Sequence, residues 1–171
     1  MSASLSLGLL LLRVVVGLIV AAHGSQKLLG WFGGHGFAGT TGWLQSQGFK
    51  PAWFWSLLGG VGEFGGGLLL ALGFLTPLGV IGVSASMLMA VVRFHGPKGF
   101  WGQKGGYEYP LTLGLMSLVL GLTGPGSYSI DAAIGFALPG VLFLLGLVLA
   151  IIVDAIGIVT SRQPAAQQSA A

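Results

Sequence analysis

No cysteine occurs among the 171 residues, so the chain cannot form a disulfide, cycle a CxxC redox pair or build a thiolate metal site. Charge is almost as scarce, with seven Lys and Arg and four Asp and Glu making up 6% of the residues. A soluble domain carries about a quarter charged residues because its surface must face water, and this chain cannot cover a globular surface that way. The formal net charge of +3 is too small and too dispersed for a nucleic-acid surface. A cleaved signal peptide is not expected either, because residues 1–12 lack a basic n-region and Arg13 interrupts the apolar run.

What the chain has instead is apolar surface: 54% hydrophobic residues and a mean hydropathy of +0.90. That composition defines an all-α, multi-pass integral membrane protein whose immediate partner is the lipid bilayer. Its 32 glycines sit inside Leu/Val/Ile runs rather than polar spacers. In a membrane, such small residues let helix backbones approach closely.

Apolar runs of about 20 residues mark the spans. The first is expected at about Leu5 to Leu29, the second from Trp53 to Thr76-Pro77 and the third at about Leu78 to Phe94. The fourth covers roughly Pro110 to Leu122 and the fifth about Ala132 to Val159. Spans three and four are short, so a four-span arrangement stays open. The resulting organisation is a four-helix transmembrane core over residues 1–125, with an interfacial loop at 30–53. An additional C-terminal helix follows over 126–160, then a polar tail over 161–171 that is expected to be disordered. Within the loop, "FAGTTGWLQSQG" reads as a short interfacial helix.

Trp31, Phe32, Trp43, Trp53, Phe54, Trp55, Phe100 and Trp101 fall at span ends beside loops one and three, as in an interfacial aromatic belt. Lys27, Lys50, Arg93, Lys98, Lys104 and Arg162 lie on that same side if five spans exist, and Arg13 toward the other. The positive-inside rule then places those loops in the cytoplasm of a bacterial inner membrane, with the N-terminus outside and the C-terminus cytoplasmic.

One stretch, "GGVGEFGGG" at 59–67, contains the G-x-G-x-x-G letters of a dinucleotide loop. The fingerprint requires a preceding strand and a βαβ unit, and here the surroundings are hydrocarbon. The glycines read as helix-packing surface, with Gly62 and Gly66 as a small-xxx-small pair and Gly59, Glu63 and Gly67 on a neighbouring stripe. A charge near the bilayer centre costs at least ~2.5–3.5 kcal/mol on insertion scales, so Glu63 needs a partner, a proton or water. Counting from Trp53, Glu63 lies ~15 Å deep, and Arg13 lies ~12 Å in from Leu5 on the antiparallel first helix. Arg13 shares a stripe with Gly17, Val20, Gly24 and Lys27, and an Arg13–Glu63 ion pair is expected. The pair is either architectural or part of a ligand cavity.

A second polar group is expected near loops one and three, from His23 and Lys27, Arg93 and His95, and Tyr107, Glu108 and Tyr109. The competing reading is a solvated membrane edge. The isolated His23, His35 and His95 do not form a metal site, because zinc wants three or four ligands at close spacing. Asp131 is expected to cap the fifth helix, and Asp154 to sit at the interface near that helix's end.

These residues also carry a resemblance. "LLRVVVGLIVAAHGSQKLLG", "GGVGEFGGGLLLALGFLTPLG" and "FWGQKGGYEYPLTLGLMSL" are similar to the DoxX family of small membrane proteins over about residues 8–125. The family's helix-one Arg falls on Arg13, its Gly-x-x-Lys-like end on Gly24 and Lys27, and its Glu before Gly-Gly on Glu63, Gly65 and Gly66. Its Gly-Gly-x-Glu entry to helix four falls on Gly105, Gly106, Tyr107 and Glu108. Members are four-helix bundles, from which the fifth helix departs. Some relatives resemble the membrane part of thiosulfate:quinone oxidoreductase, and others are linked to oxidative-stress complexes or receptor assembly. The resemblance implies a membrane subunit near quinone- or sulfur-linked redox chemistry, with no intrinsic cofactor and with quinone as a possible ligand.

On that reading Arg13, Lys27, Glu63, Arg93 and Glu108 line a pocket between helices one to four, and a carboxylate relays protons. His23 or His95 as a proton donor beside a quinone is allowed but has no support of its own. The alternative is a non-catalytic membrane anchor or assembly subunit of a larger complex, with the same charges as structural glue. A small-solute carrier has less support, because no inverted repeat is visible.

Overall fold

The computed structural model describes residues 1–161; Arg162 and the rest of the expected polar tail lie outside the described residues. The described residues form seven α-helices: α1 (Ala3–Leu28), α2 (Gly36–Ser46), α3 (Ala52–Leu72), α4 (Thr76–Met89), α5 (Glu108–Thr123), α6 (Ile130–Ile134) and α7 (Gly140–Thr160). No strand occurs among the described residues. The chain is an all-α membrane protein, as its composition requires.

Among the described residues, four helical segments are long and apolar enough to cross a bilayer: Ala3–Leu28, Ala52–Leu72, Thr76–Lys98 and Gly140–Thr160. The third is longer than expected because a π-helical turn (Ala90–His95) and a 3-10 turn (Gly96–Lys98) extend α4. The expected fourth span, α5, has 16 residues, which gives a rise of only ~24 Å. The expected fifth span is broken. α6 ends at Gly135, whose φ of 66° is left-handed, and α7 begins only after Pro139.

α1, α3, α4 and α5 form the bundle, and α7 docks on α4. Its core gathers Leu9, Val16 and Val20 of α1, Leu70 of α3, Val80, Val83 and Met87 of α4, Leu113 and Leu120 of α5, and Phe143 of α7. α2 is the short helix expected in the first loop. It buries Leu44 in a smaller cluster with Phe49 and Ala52, against Trp55, Met89 and Phe94.

Glycine sets how closely these helices pack. A Cβ on Gly17 would lie 2.5 Å from the Ala71 nitrogen and the Gly67 oxygen, and one on Gly67 would lie 2.6 Å from the Ala21 nitrogen. On the other side of α3, a Cβ on Gly62 would meet Ser86 Oγ at 2.7 Å, and one on Gly66 the Gly79 oxygen at 3.0 Å. α3 therefore presents one small-residue face to α1 and a second to α4. Gly59 has nothing within 4 Å and belongs to neither; Gly60, against Leu28, takes its place on the α1 face.

Candidate functional site

The antiparallel register of α1 and α3 decides which charges meet. Gly17 faces Ala71, Ala21 faces Gly67, Gly24 faces Phe64 and Leu28 faces Gly60. Each step forward on α1 is a step back on α3, so Glu63 is level with position 25 and Arg13 is level with position 75, beyond the end of α3. The expected Arg13–Glu63 pair is therefore not formed. The depth estimate took both helices to start at the membrane edge, whereas they are staggered, and the N-terminal part of α1 projects past α3. Lys27 is the partner instead. Its Nζ lies 2.5 Å from Glu63 Oε1, the one ion pair within 4 Å among the described residues.

Arg13 has a different task. It is 3% exposed, and its guanidinium donates to the Ala71 carbonyl at 2.7 Å and to the Tyr128 carbonyl. Carbonyls in the last turn of a helix lack intrahelical donors, and a cation there also suits the helix dipole. Arg13 thus closes the end of α3 and ties it to the segment before α6. Gly73, at φ 63°, leaves room for it, since a Cβ there would lie 2.5 Å from the guanidinium.

Asp131 completes this knot. Its Oδ1 accepts from Leu75 N at 2.7 Å and its Oδ2 from Thr76 N at 2.9 Å. It therefore caps α4 across the bundle rather than its own helix, whose N-cap is Ser129, accepting from Ala132 N. The two residues satisfy backbone groups at the end of α3, at Tyr128 and at the start of α4.

The remaining polar candidates are dispersed. Arg93 donates to the Gln47 carbonyl at 2.8 Å and to Ser161 Oγ at 3.2 Å, and lies over the rings of Phe49 and Phe94. It fastens the extension of α4 to the ends of α2 and α7. His95 Nδ1 donates to the Gly105 carbonyl at 2.7 Å, and Glu108 Oε2 accepts from Gly102 N at 2.8 Å. Both fold the loop before α5, where Tyr107 packs edge-on against Phe100. His23 Nε2 lies 3.3 Å from the Tyr109 hydroxyl, an exposed pair. The expected single pocket lined by Arg13, Lys27, Glu63, Arg93 and Glu108 is thus corrected: of these five, only Lys27 and Glu63 line the apolar cavity found beside α3.

That cavity, of about 420 Å³, lies between α2, α3, α4 and α7. Its size falls within the ~300–1,000 Å³ range of small-molecule sites. Trp43, Phe49, Trp55, Leu78, Ile81, Met89 and Phe94 give it apolar and aromatic walls. Three buried oxygens on its lining residues have no hydrogen-bond partner: Glu63 Oε2, Ser56 Oγ and Asp154 Oδ2. Unpaired buried polar atoms are rare enough in folded proteins to need a reason, and a polar ligand group is one.

Asp154 corrects the expectation of an interfacial residue, being 6% exposed and part of the cavity wall. Its partner-free burial was not visible from a stretch reading only as a hydrophobic helix near its end. Trp55 also leaves the expected lipid belt. It packs edge-on against Phe49 and meets α7 at Gly157, where a Cβ would lie 2.7 Å from the indole. Trp31, Phe32, Trp53 and Trp101 remain more than half exposed.

Together these features define a small polytopic membrane protein, a helical bundle with a partly buried ion pair beside an apolar cavity. The chain belongs to the DoxX family, whose model matches residues 8–96, just over half of its length. It is similar to the inner membrane protein YqjF of Escherichia coli K12, at 30% identity over 72% of this chain and 89% of that protein. It is also similar to an uncharacterized membrane protein of Mycobacterium tuberculosis, at 29% identity over 70% of this chain and 77% of the relative. No solved structure matches it.

Proposed function

We propose that this DoxX-family protein is a membrane subunit whose cavity between α2, α3, α4 and α7 receives the headgroup of a lipid-soluble quinone. One observation carries the reading: the Lys27–Glu63 pair, with an unpaired Glu63 oxygen, stands on the wall of an otherwise apolar and aromatic cavity. A quinone has the matching chemistry, with a flat apolar body and polar oxygens at its rim. Bound, it would supply reversible electron and proton uptake. Lys27 has further N–H groups for a ligand oxygen beyond the one directed at Glu63. Glu63 Oε2 is available to accept a hydrogen bond or a proton there.

An anionic sulfur substrate is less well served. The charged residues lining the cavity are Lys27, Glu63 and Asp154, so it has no excess of positive charge. Arg13 and Arg93 are engaged elsewhere. With no cysteine in the chain, a partner protein holds the electron-transfer centre in this reading.

The orientation follows from the same charges. Lys27, Lys50, Arg93, Lys98 and Lys104 gather at the end of the bundle where α1 finishes and α3 starts. Arg93 ties the end of α7 to that side. The positive-inside rule makes it cytoplasmic, with the N-terminus on the outer face of the inner membrane.

Titration calorimetry of the purified protein in nanodiscs with decylubiquinone tests the reading. The wild type should bind, and Glu63→Gln should bind about ten-fold more weakly, as expected for loss of one charge-assisted hydrogen bond. Absence of binding to the wild type would favour the alternative of a membrane anchor or assembly subunit.

A further inference from the structure

The cavity has a second polar wall. Asp154 stands on α7, outside the residues 8–96 that carry the family match. It is more than nine-tenths buried, lines the cavity, and its Oδ2 has no hydrogen-bond partner. Neither cation near the cavity serves it, since Lys27 is paired with Glu63 and Arg93 is directed at Gln47 and Ser161. The other α7 residues lining the cavity, Gly146, Leu149, Ala150 and Val153, have no polar side chain. An isolated carboxylate is costly in such apolar surroundings, and the neutral acid avoids that cost.

The helix registers bring this carboxyl near the level of Glu63. α7 runs alongside α4 in the same direction, since a Cβ on Gly146 would meet Ile81 Cδ1 at 2.5 Å and one on Gly157 would meet Met89 Cε at 3.0 Å. α3 runs against α4, with Gly62 facing Gly82 and Ser86, and Gly66 facing Gly79 and Val83. Asp154 and Glu63 therefore fall within about one turn of each other along α4, a rise of ~5 Å. Lys27 and Glu63 stand on one wall of the cavity and Asp154 on another, with a mostly apolar lining around them.

A neutral carboxyl has both a donor O–H and an acceptor oxygen. It can donate to a ring carbonyl and accept from a ring hydroxyl, so it serves an oxidised and a reduced ligand alike. With Asp154 neutral, the charges of Lys27 and Glu63 cancel, which suits an uncharged ring.

We propose that Asp154, as the neutral acid, is a ligand-contacting residue that binds the second oxygen of a quinone whose first oxygen lies at Lys27 and Glu63. This rests on the quinone reading above and narrows the ligand to a ring with oxygens at both ends.

Two measurements on the full chain in nanodiscs test it. In calorimetry with decylubiquinone, Asp154→Asn, whose amide can still donate, should bind within about two-fold of the wild type. Asp154→Leu, which has no donor, should bind about five-fold more weakly, the worth of one hydrogen bond. In infrared difference spectra recorded on adding the quinone, a carboxylic-acid C=O stretch should shift in the wild type, and that signal should be missing in Asp154→Asn. Unchanged affinity in Asp154→Leu, or a ligand-sensitive band from ionised carboxylate alone, would overturn the assignment while leaving a quinone site standing. Failure of the wild type to bind would overturn both.

Discussion

Lys27, in the last turn of α1, reaches Glu63, near the middle of α3, with 2.5 Å between Nζ and Oε1. The partners are unequally placed, since the Lys27 side chain is 40% exposed and that of Glu63 only 3%. Removing Lys27 strands a buried carboxylate, whereas removing Glu63 leaves an ammonium that can turn to water or lipid headgroups. Lys27→Met should therefore cost about 3 kcal/mol, the lower end for breaking a buried pair. Glu63→Gln should cost under about 1 kcal/mol, in the range of an exposed pair. The double variant should recover most of the loss. Unfolding in mixed micelles checks this, and equal costs for the two single variants would contradict the asymmetry.

Arg13 separates structure from ligand binding. Its donors close the end of α3 and the segment at Tyr128, and it does not line the cavity between α2, α3, α4 and α7. Arg13→Met should lower thermal stability, by about 1–3 kcal/mol for two partly buried carbonyls that lose their charged donor. The protein that remains folded should bind quinone with unchanged affinity. A changed Kd in that fraction would return Arg13 to the ligand site.

The glycine faces give a paired prediction. A Cβ on Gly24 would lie 2.6 Å from Phe64 Cα, whereas one on Gly59 has open space around it. Gly24→Ala should force α1 and α3 apart and cost about 2 kcal/mol or more, in the range of overpacked cores. Gly59→Ala should be neutral or stabilising, because alanine favours the helix by up to about 1 kcal/mol. Melting temperatures of the two variants in one detergent make the comparison.

The membrane class, the helices and the close α1–α3 approach were legible in the sequence, because charge scarcity and glycine periodicity are local signals. Gly17 and Gly24 were placed on the α3-facing stripe for that reason. The partner of Glu63 was not, because it depends on the stagger between two helices, and an error of a few turns exchanges Lys27 for Arg13. Asp131 was misread for a related reason: a carboxylate at a helix start looks like that helix's own cap, while the backbone it serves is more than fifty residues away in sequence. Asp154 was hidden because a single carboxylate near the end of an apolar helix gives no sign of facing a cavity. Only the packing of α7 on α4 reveals that.

Photoaffinity labelling with an azidoquinone in native-like membranes, followed by peptide mapping, tests the central claim most directly. The label should concentrate on the peptides spanning Trp43–Gly62 and Gly146–Asp154, which carry cavity-lining residues, and should be displaced by excess unlabelled quinone. Labelling spread evenly over the lipid-facing residues of α1 and α5, or undiminished by the competitor, would contradict a quinone site beside Lys27 and Glu63.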